Sequence, residues 1–134
     1  MTPRFDLIGI VTDDLAASLA FYRRLGLDIP DGAEREPHVE ATLPGGLRMA
    51  WDPVETIRSF NPDWALPPRG QSRVGLAFLC DGPAEVDKLH AELTQAGYDS
   101  EMAPFDAPWG MRYAVLLDPD GNGVDLFARL DQQD

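Results

Sequence analysis

Apolar and polar positions follow two periodicities along this chain, and the same order of periodicities occurs twice. Phe5–Val11 is a strand-like apolar run, followed by Asp13-Asp14 and by Leu15, Leu19, Tyr22 and Leu25 at helical spacing, which stops at Gly26. In the second half Val74–Cys80 is the strand, and Asp81-Gly82-Pro83 starts a helix. Val86, Leu89, Leu93 and Ala96 form its apolar stripe and Gly97 ends it. The exits match as well, Leu25-Gly26-Leu27-Asp28 against Ala96-Gly97-Tyr98-Asp99.

Short strands follow each helix. In the first half they are His38–Leu43 and Leu47–Trp51, joined through Pro44-Gly45-Gly46. In the second they are Tyr98–Met102 and the two arms of a hairpin, Tyr113–Leu117 and Val124–Phe127, around the turn Asp118-Pro119-Asp120-Gly121. The expected fold is α+β, two βαβββ modules forming a curved mixed sheet with a concave ligand cleft. Neither module buries both its helix and its sheet face alone, so two must share one structure, within the chain or across a dimer. The modules span 1–52 and 72–130, and a Pro-rich loop, 53–71, joins them with a possible helical turn at Val54–Arg58. Phe60 and Trp64 argue against a purely solvated linker.

Composition narrows the function classes. The 134 residues suit one ordinary domain, and no apolar run approaches the roughly 20 residues of a membrane span. A soluble, cytoplasmic protein is expected. The 23 acidic against 11 basic residues leave a net charge of −12, which repels phosphate backbones and anionic membranes and favours a cationic ligand. Cys80 is the only cysteine, so neither a disulfide framework nor a thiolate cluster forms within one chain. No Ser lies in a Gly-x-Ser-x-Gly elbow, and no base lies near Cys80 in sequence.

The duplicated pattern, the phrase Ala20-Phe21-Tyr22-Arg23-Arg24-Leu25-Gly26-Leu27 and the ending Asp118-Pro119-Asp120-Gly121-Asn122-Gly123-Val124-Asp125-Leu126 resemble the vicinal oxygen chelate superfamily. This group holds glyoxalases, extradiol dioxygenases and bleomycin-resistance proteins. The resemblance implies metal ligands on the first and last strands of each half, where this chain has Leu7, Gly75, Arg48 and Asp125. Only Asp125 is a ligand by chemistry, because a guanidinium never coordinates and Leu and Gly offer no side-chain donor. No metal and no other cofactor is therefore expected, and an Arg48–Asp125 ion pair is expected in its place. The alternatives are an Arg48 that faces solvent and a site built from His38, Glu40 and His90, the first two sharing one strand face.

Alternation along the penultimate strand sets Trp109, Met111 and Tyr113 on one side, opposite Arg112 and Ala114. The runs Pro37–Ala41, Gly45–Asp52, Val54–Ser59 and Pro108–Ala114 further resemble the branch of antibiotic-sequestering proteins that includes the mitomycin binder. That resemblance implies a homodimer, strand- or module-swapped, that stacks a planar antibiotic in a cleft shared by two chains, without chemistry. It implies Trp109 as one jaw and His38 as the other. Met111, Trp51 and Phe60 would add apolar contact, and Glu40, Asp52 and Asp125 would receive ligand donors or charge. Asn61 and Trp64, with Phe60, would close the cleft from the partner chain, the alternative being a loop pinned to its own surface by those aromatics, and Arg48 completes the expected ligand-binding set. The competing reading is a glyoxalase- or dioxygenase-like enzyme, in its metal-free form a lyase or isomerase using Asp125, Glu40 or His38 as base.

Overall fold

The computed structural model describes residues 1–69 and 73–130 and divides at Pro67/Pro68 into two compact units. The expected module start at 72 and the last two residues of the expected loop, 70 and 71, lie outside the described residues.

In the first unit, β1 (Leu7–Thr12) leads to α1 (Leu15–Arg24), and β2 (Val39–Thr42) and β3 (Arg48–Pro53) follow. The sheet order is β1-β3-β2, with β1 parallel and β2 antiparallel to β3. Asp14 caps α1, accepting a hydrogen bond from the Ala17 N–H at 3.1 Å, and Gly26 at φ 92° ends its turn. Leu19, Phe21 and Tyr22 of α1 are fully buried with Met49 and Trp51 of β3, so these strand positions face the helix. Arg48 and Asp52, their neighbours in the alternation, face the other way. The short helix α2 (Val54–Arg58) follows β3 directly and occupies the span read from the sequence as a helical turn.

This unit has three strands, one fewer than the βαβββ expectation. Between α1 and β2 lie Pro30, which has no N–H to donate, Gly32 at φ 82° and a single 3₁₀ turn, Ala33–Arg35. Arg23 binds this segment to α1, donating to the carbonyls of Ile29 at 3.3 Å and Pro30 at 2.6 Å and pairing with Glu34 at 3.1 Å. Ladder hydrogen bonds are replaced by side-chain ones.

The second unit is a full βαβββ motif. It runs β4 (Leu76–Leu79), α3 (Pro83–Gln95), β5 (Ser100–Ala107), β6 (Met111–Leu117) and β7 (Gly123–Arg129), in the sheet order β4-β7-β6-β5. Pro83 opens α3, where a missing N–H costs nothing, and Gly97 at φ 100° follows its end. Val86 and Leu93 of α3 pack with Ala114, Leu116, Val124 and Leu126, all buried. Arg112, on the same face of β6, reaches Asp87 of α3 at 2.9 Å. β5 runs five residues beyond the expected end at Met102, because Pro104 sits on an edge strand where its missing N–H faces no partner. Its register shifts twice, on either side of Met102.

The β6–β7 turn rests on one buried carboxylate. Asp118 accepts hydrogen bonds from the Asp120 N–H at 2.9 Å, the Asn122 N–H at 2.8 Å and the Asn122 side-chain amide at 2.9 Å. No helix among the described residues is long and apolar enough to cross a membrane.

Candidate functional site

Each unit carries a polar or aromatic surface on the sheet face turned away from its helix. In the first unit this surface is a row of alternating charges. His38 Nδ1 lies 2.6 Å from the Asp52 carboxylate and Nε2 2.7 Å from that of Glu40. Arg48 then donates to Glu40 at 2.6 Å and to Asp6 at 2.5 Å. The order Asp52–His38–Glu40–Arg48–Asp6 runs over β2 and β3 and the residues just before β2 and β1.

Both His38 nitrogens lie within hydrogen-bond distance of carboxylate oxygens, an arrangement that favours the doubly protonated imidazolium. The hydrogen bond to Asp52, then that to Glu40, raises the His38 pKa above its ordinary value despite partial burial. Glu40 is correspondingly held below the usual carboxylate range, by His38 first and Arg48 second. This row brings together four of the residues expected from sequence: His38, Glu40, Arg48 and Asp52. Asp6, which completes it, was missed: it lies within the apolar run Phe5–Val11 read as the first strand, and its partner Arg48 is 42 residues away in sequence.

Trp51 does not belong with them. It is fully buried against Tyr22, ring centroids 5.6 Å apart, on the helix side of β3. Alternation excludes Trp51 and Asp52 from sharing a face, so the expectation of ligand contact by Trp51 is corrected to core packing. Phe60 stands exposed, as does Asn61, while Trp64 is half-buried. The segment is folded onto its own unit: the Asn61 N–H donates to Ile57 at 2.9 Å and Arg58 donates to the Trp64 carbonyl at 3.1 Å.

In the second unit the corresponding face is aromatic. Trp109 and Tyr113 meet edge to face at 5.3 Å, and Phe105 meets Trp109 at 6.3 Å and Tyr113 at 6.2 Å, all near perpendicular. Trp109 stays 58% exposed, with Met111 half-buried beside it at the start of β6. The Ala107–Gly110 turn, with Gly110 at φ 86°, presents the indole. Phe105 was missed in sequence because Pro104 and Pro108 flank it and read as strand breakers.

Tyr113 donates a short hydrogen bond to Asp125 on the neighbouring strand. Burial first, and Asp125 second, push the Tyr113 phenol up to about 12, so the hydroxyl stays a donor at any ordinary pH. Asp125 also lines an open cavity of about 230 Å³ with Arg73, Glu101, Val115 and Leu117. Gly75 leaves room there: a Cβ at that position would meet only Asp125 Oδ2, at 4.0 Å.

The four positions at which a metal would be expected do not suit one. Leu7 is hydrocarbon, Gly75 has no side chain, Arg48 is a cation engaged by Asp6 and Glu40, and Asp125 already accepts from Tyr113. Arg48 and Asp125 each have a partner within their own unit. Register also changes the match between halves. With Leu7 and Gly75 each eight residues before a helix, Gly9 pairs with Ala50 and Ala77 with Asp125. The counterpart of Asp125 is thus Ala50, which has no donor either. Among the described residues no three His, Cys, Asp or Glu side chains are grouped to hold a metal ion. His38 illustrates why, since its two nitrogens point at different carboxylates. His90 lies in the other unit, its Nε2 2.7 Å from the Ser100 hydroxyl.

Residues 4–126 match the family model of the Glyoxalase/Bleomycin resistance protein/Dioxygenase superfamily. Over 124 residues the chain is 31% identical to the uncharacterized protein YwkD of Bacillus subtilis (strain 168), covering 90% of this chain and 92% of that one. Among solved structures, a glyoxalase/bleomycin resistance protein/dioxygenase from Nocardioides superposes with a TM-score of 0.74 at 27% identity, over 98% of this chain and 86% of that one. A glyoxalase-related enzyme from Fulvimarina pelagi superposes with a TM-score of 0.78 at 23% identity, over 96% and 89%, a likeness of fold.

Proposed function

The chain belongs to the glyoxalase/bleomycin resistance protein/dioxygenase superfamily, and from that premise we propose that it is a non-catalytic, homodimeric drug-binding protein that sequesters a planar aromatic, cationic natural product. The superfamily mixes enzymes with binders, so the choice between them rests on the chain's own side chains. One observation carries the reading. Trp109 keeps 58% of its surface exposed while Phe105 and Tyr113 brace it edge-on. A large aromatic uncovered yet fixed from two sides offers a flat ring a partner that loses little side-chain freedom on binding.

The charge balance favours a cation. Asp125 lies beside this wall, and the net charge of −12 concentrates cations around the molecule. In the first unit, three carboxylates against Arg48 and an imidazolium leave the polar row negative. That row is proposed to receive ligand donors.

A second reading, a metal-free lyase or isomerase, is favoured by one feature, the His38–Asp52 pair, which has the geometry of an oriented acid–base group. Tryptophan fluorescence titrated with planar cationic antibiotics in the presence of chelator, followed by recovery of the ligand, separates the two. Tight binding with the ligand recovered intact supports sequestration. A chemically altered ligand would establish turnover instead.

A further inference from the structure

The second unit's cavity is too small for the ligand proposed above. Its volume of about 230 Å³ falls below the roughly 300–1,000 Å³ of pockets that enclose a drug-sized molecule, whereas it suits an appendage of one. Its lining holds two carboxylates, Glu101 and Asp125, and one cation, Arg73, so it is short of positive charge by one. Val115 and Leu117 supply an apolar floor.

The cavity is linked to the aromatic wall through one hydrogen bond. Tyr113 touches Trp109 with its ring and Asp125 with its hydroxyl, and Asp125 lines the cavity. Val115, on the cavity floor, lies two residues from Tyr113 on the same face of β6, about 7 Å along the strand. We propose that this cavity is a subsite for a protonated aminoalkyl arm of a ligand whose planar nucleus stacks on Trp109. The proposal rests on the stacking reading. The arm's ammonium would sit against Asp125 and Glu101, its methylenes on Val115 and Leu117. Asp125 keeps lone pairs to accept it, having one hydrogen bond from Tyr113. Gly75 lines the cavity without a side chain, and a Cβ there would lie 4.0 Å from Asp125 Oδ2, so a larger residue takes up space in the cavity.

The test uses two dyes with one nucleus, quinacrine and the same chloromethoxy-aminoacridine without the diethylaminopentyl arm. Binding to the full chain is followed by tryptophan quenching, with enough salt to screen the long-range field of an acidic protein. The expected result is that quinacrine binds about tenfold tighter or better, the size of one charge-assisted hydrogen bond. That ratio should fall to about one in Gly75→Val and in Asp125→Asn. The second variant is isosteric, so it keeps the test valid if the first misfolds. Equal affinities for the two dyes in the natural chain, both weakened by Trp109→Ala, would leave stacking intact and overturn the arm subsite. A ratio that survives both cavity variants would overturn it too. Failure of both dyes to bind would overturn the stacking reading and the subsite with it.

Discussion

Tyr113 donates its phenolic hydrogen to Asp125 diagonally across the β6–β7 ladder, in which Tyr113 itself pairs with Phe127. The bond ties the aromatic wall to the one carboxylate that occupies an expected metal-ligand position. After burial, it is the second cause that raises the phenol's pKa. Since burial is the larger cause and the Asp125 bond the smaller, Tyr113 should ionise at about 12, and Asp125→Asn should lower that value only in part. Alkaline titration by tyrosinate absorbance, compared with Tyr113→Phe, reads this directly. Because the folded value exceeds the ordinary 10.0, the associated stability is present below pH 10 and is lost as pH rises toward 12. A Tyr113 contribution appearing near pH 10 would refute the bond's role.

Trp51 and Trp109 should behave oppositely on truncation. Trp51→Ala removes a fully buried indole packed on Tyr22, and about 3–5 kcal/mol of stability should go with it. Trp109→Ala, at a 58% exposed site, should cost about 1 kcal/mol or less while removing planar-ligand binding. Urea denaturation gives the first comparison and dye titration the second. A large stability loss at Trp109 would make it a core residue.

Most of the fold was legible because periodicity records burial. The helical stripe from Leu15 to Leu25, the turn at Val54–Arg58 and the Asp-Pro-Asp-Gly hairpin each became the element their pattern implied. The fourth strand of the first unit was not legible as absent, since what replaces it depends on Arg23 reaching the Ile29 and Pro30 carbonyls, a contact no local pattern encodes. At the site, His38 and Glu40 shared a face as their spacing requires. Trp51 was misplaced by its company of aromatic candidates, although its adjacency to Asp52 already put it on the opposite face. Phe105 and Asp6 become visible only once strands pair, through Phe105↔Tyr113 and the Arg48 guanidinium.

The hairpin turn should depend on Asp118 more than its loop position suggests. Asp118→Ala leaves the Asp120 and Asn122 N–H groups without their acceptor in a site only 2% exposed, so a loss of about 3 kcal/mol is expected. Asp118→Asn retains an oxygen for both N–H groups and should cost clearly less. Thermal melting of the two variants supplies the comparison, and equal losses would mean that charge rather than hydrogen bonding holds the turn.

The two histidines should titrate on opposite sides of their ordinary value of 6.5. His38 is raised by Asp52 first and Glu40 second, whereas His90 is lowered by burial. Two-dimensional NMR of the ring protons, assigned with His90→Gln, should therefore show the upper transition as His38. Asp52→Asn should bring it down further than Glu40→Gln. For stability the sign follows from the raised folded value: the imidazolium's contribution is complete below 6.5 and disappears as pH rises through the folded pKa. Its size stays below about 1 kcal/mol because the side chain is 43% exposed. The natural chain should therefore lose its advantage over His38→Gln in denaturation midpoint as the buffer moves from pH 6 into the alkaline range. An advantage that grew with pH would mean that folding lowers the His38 pKa instead of raising it.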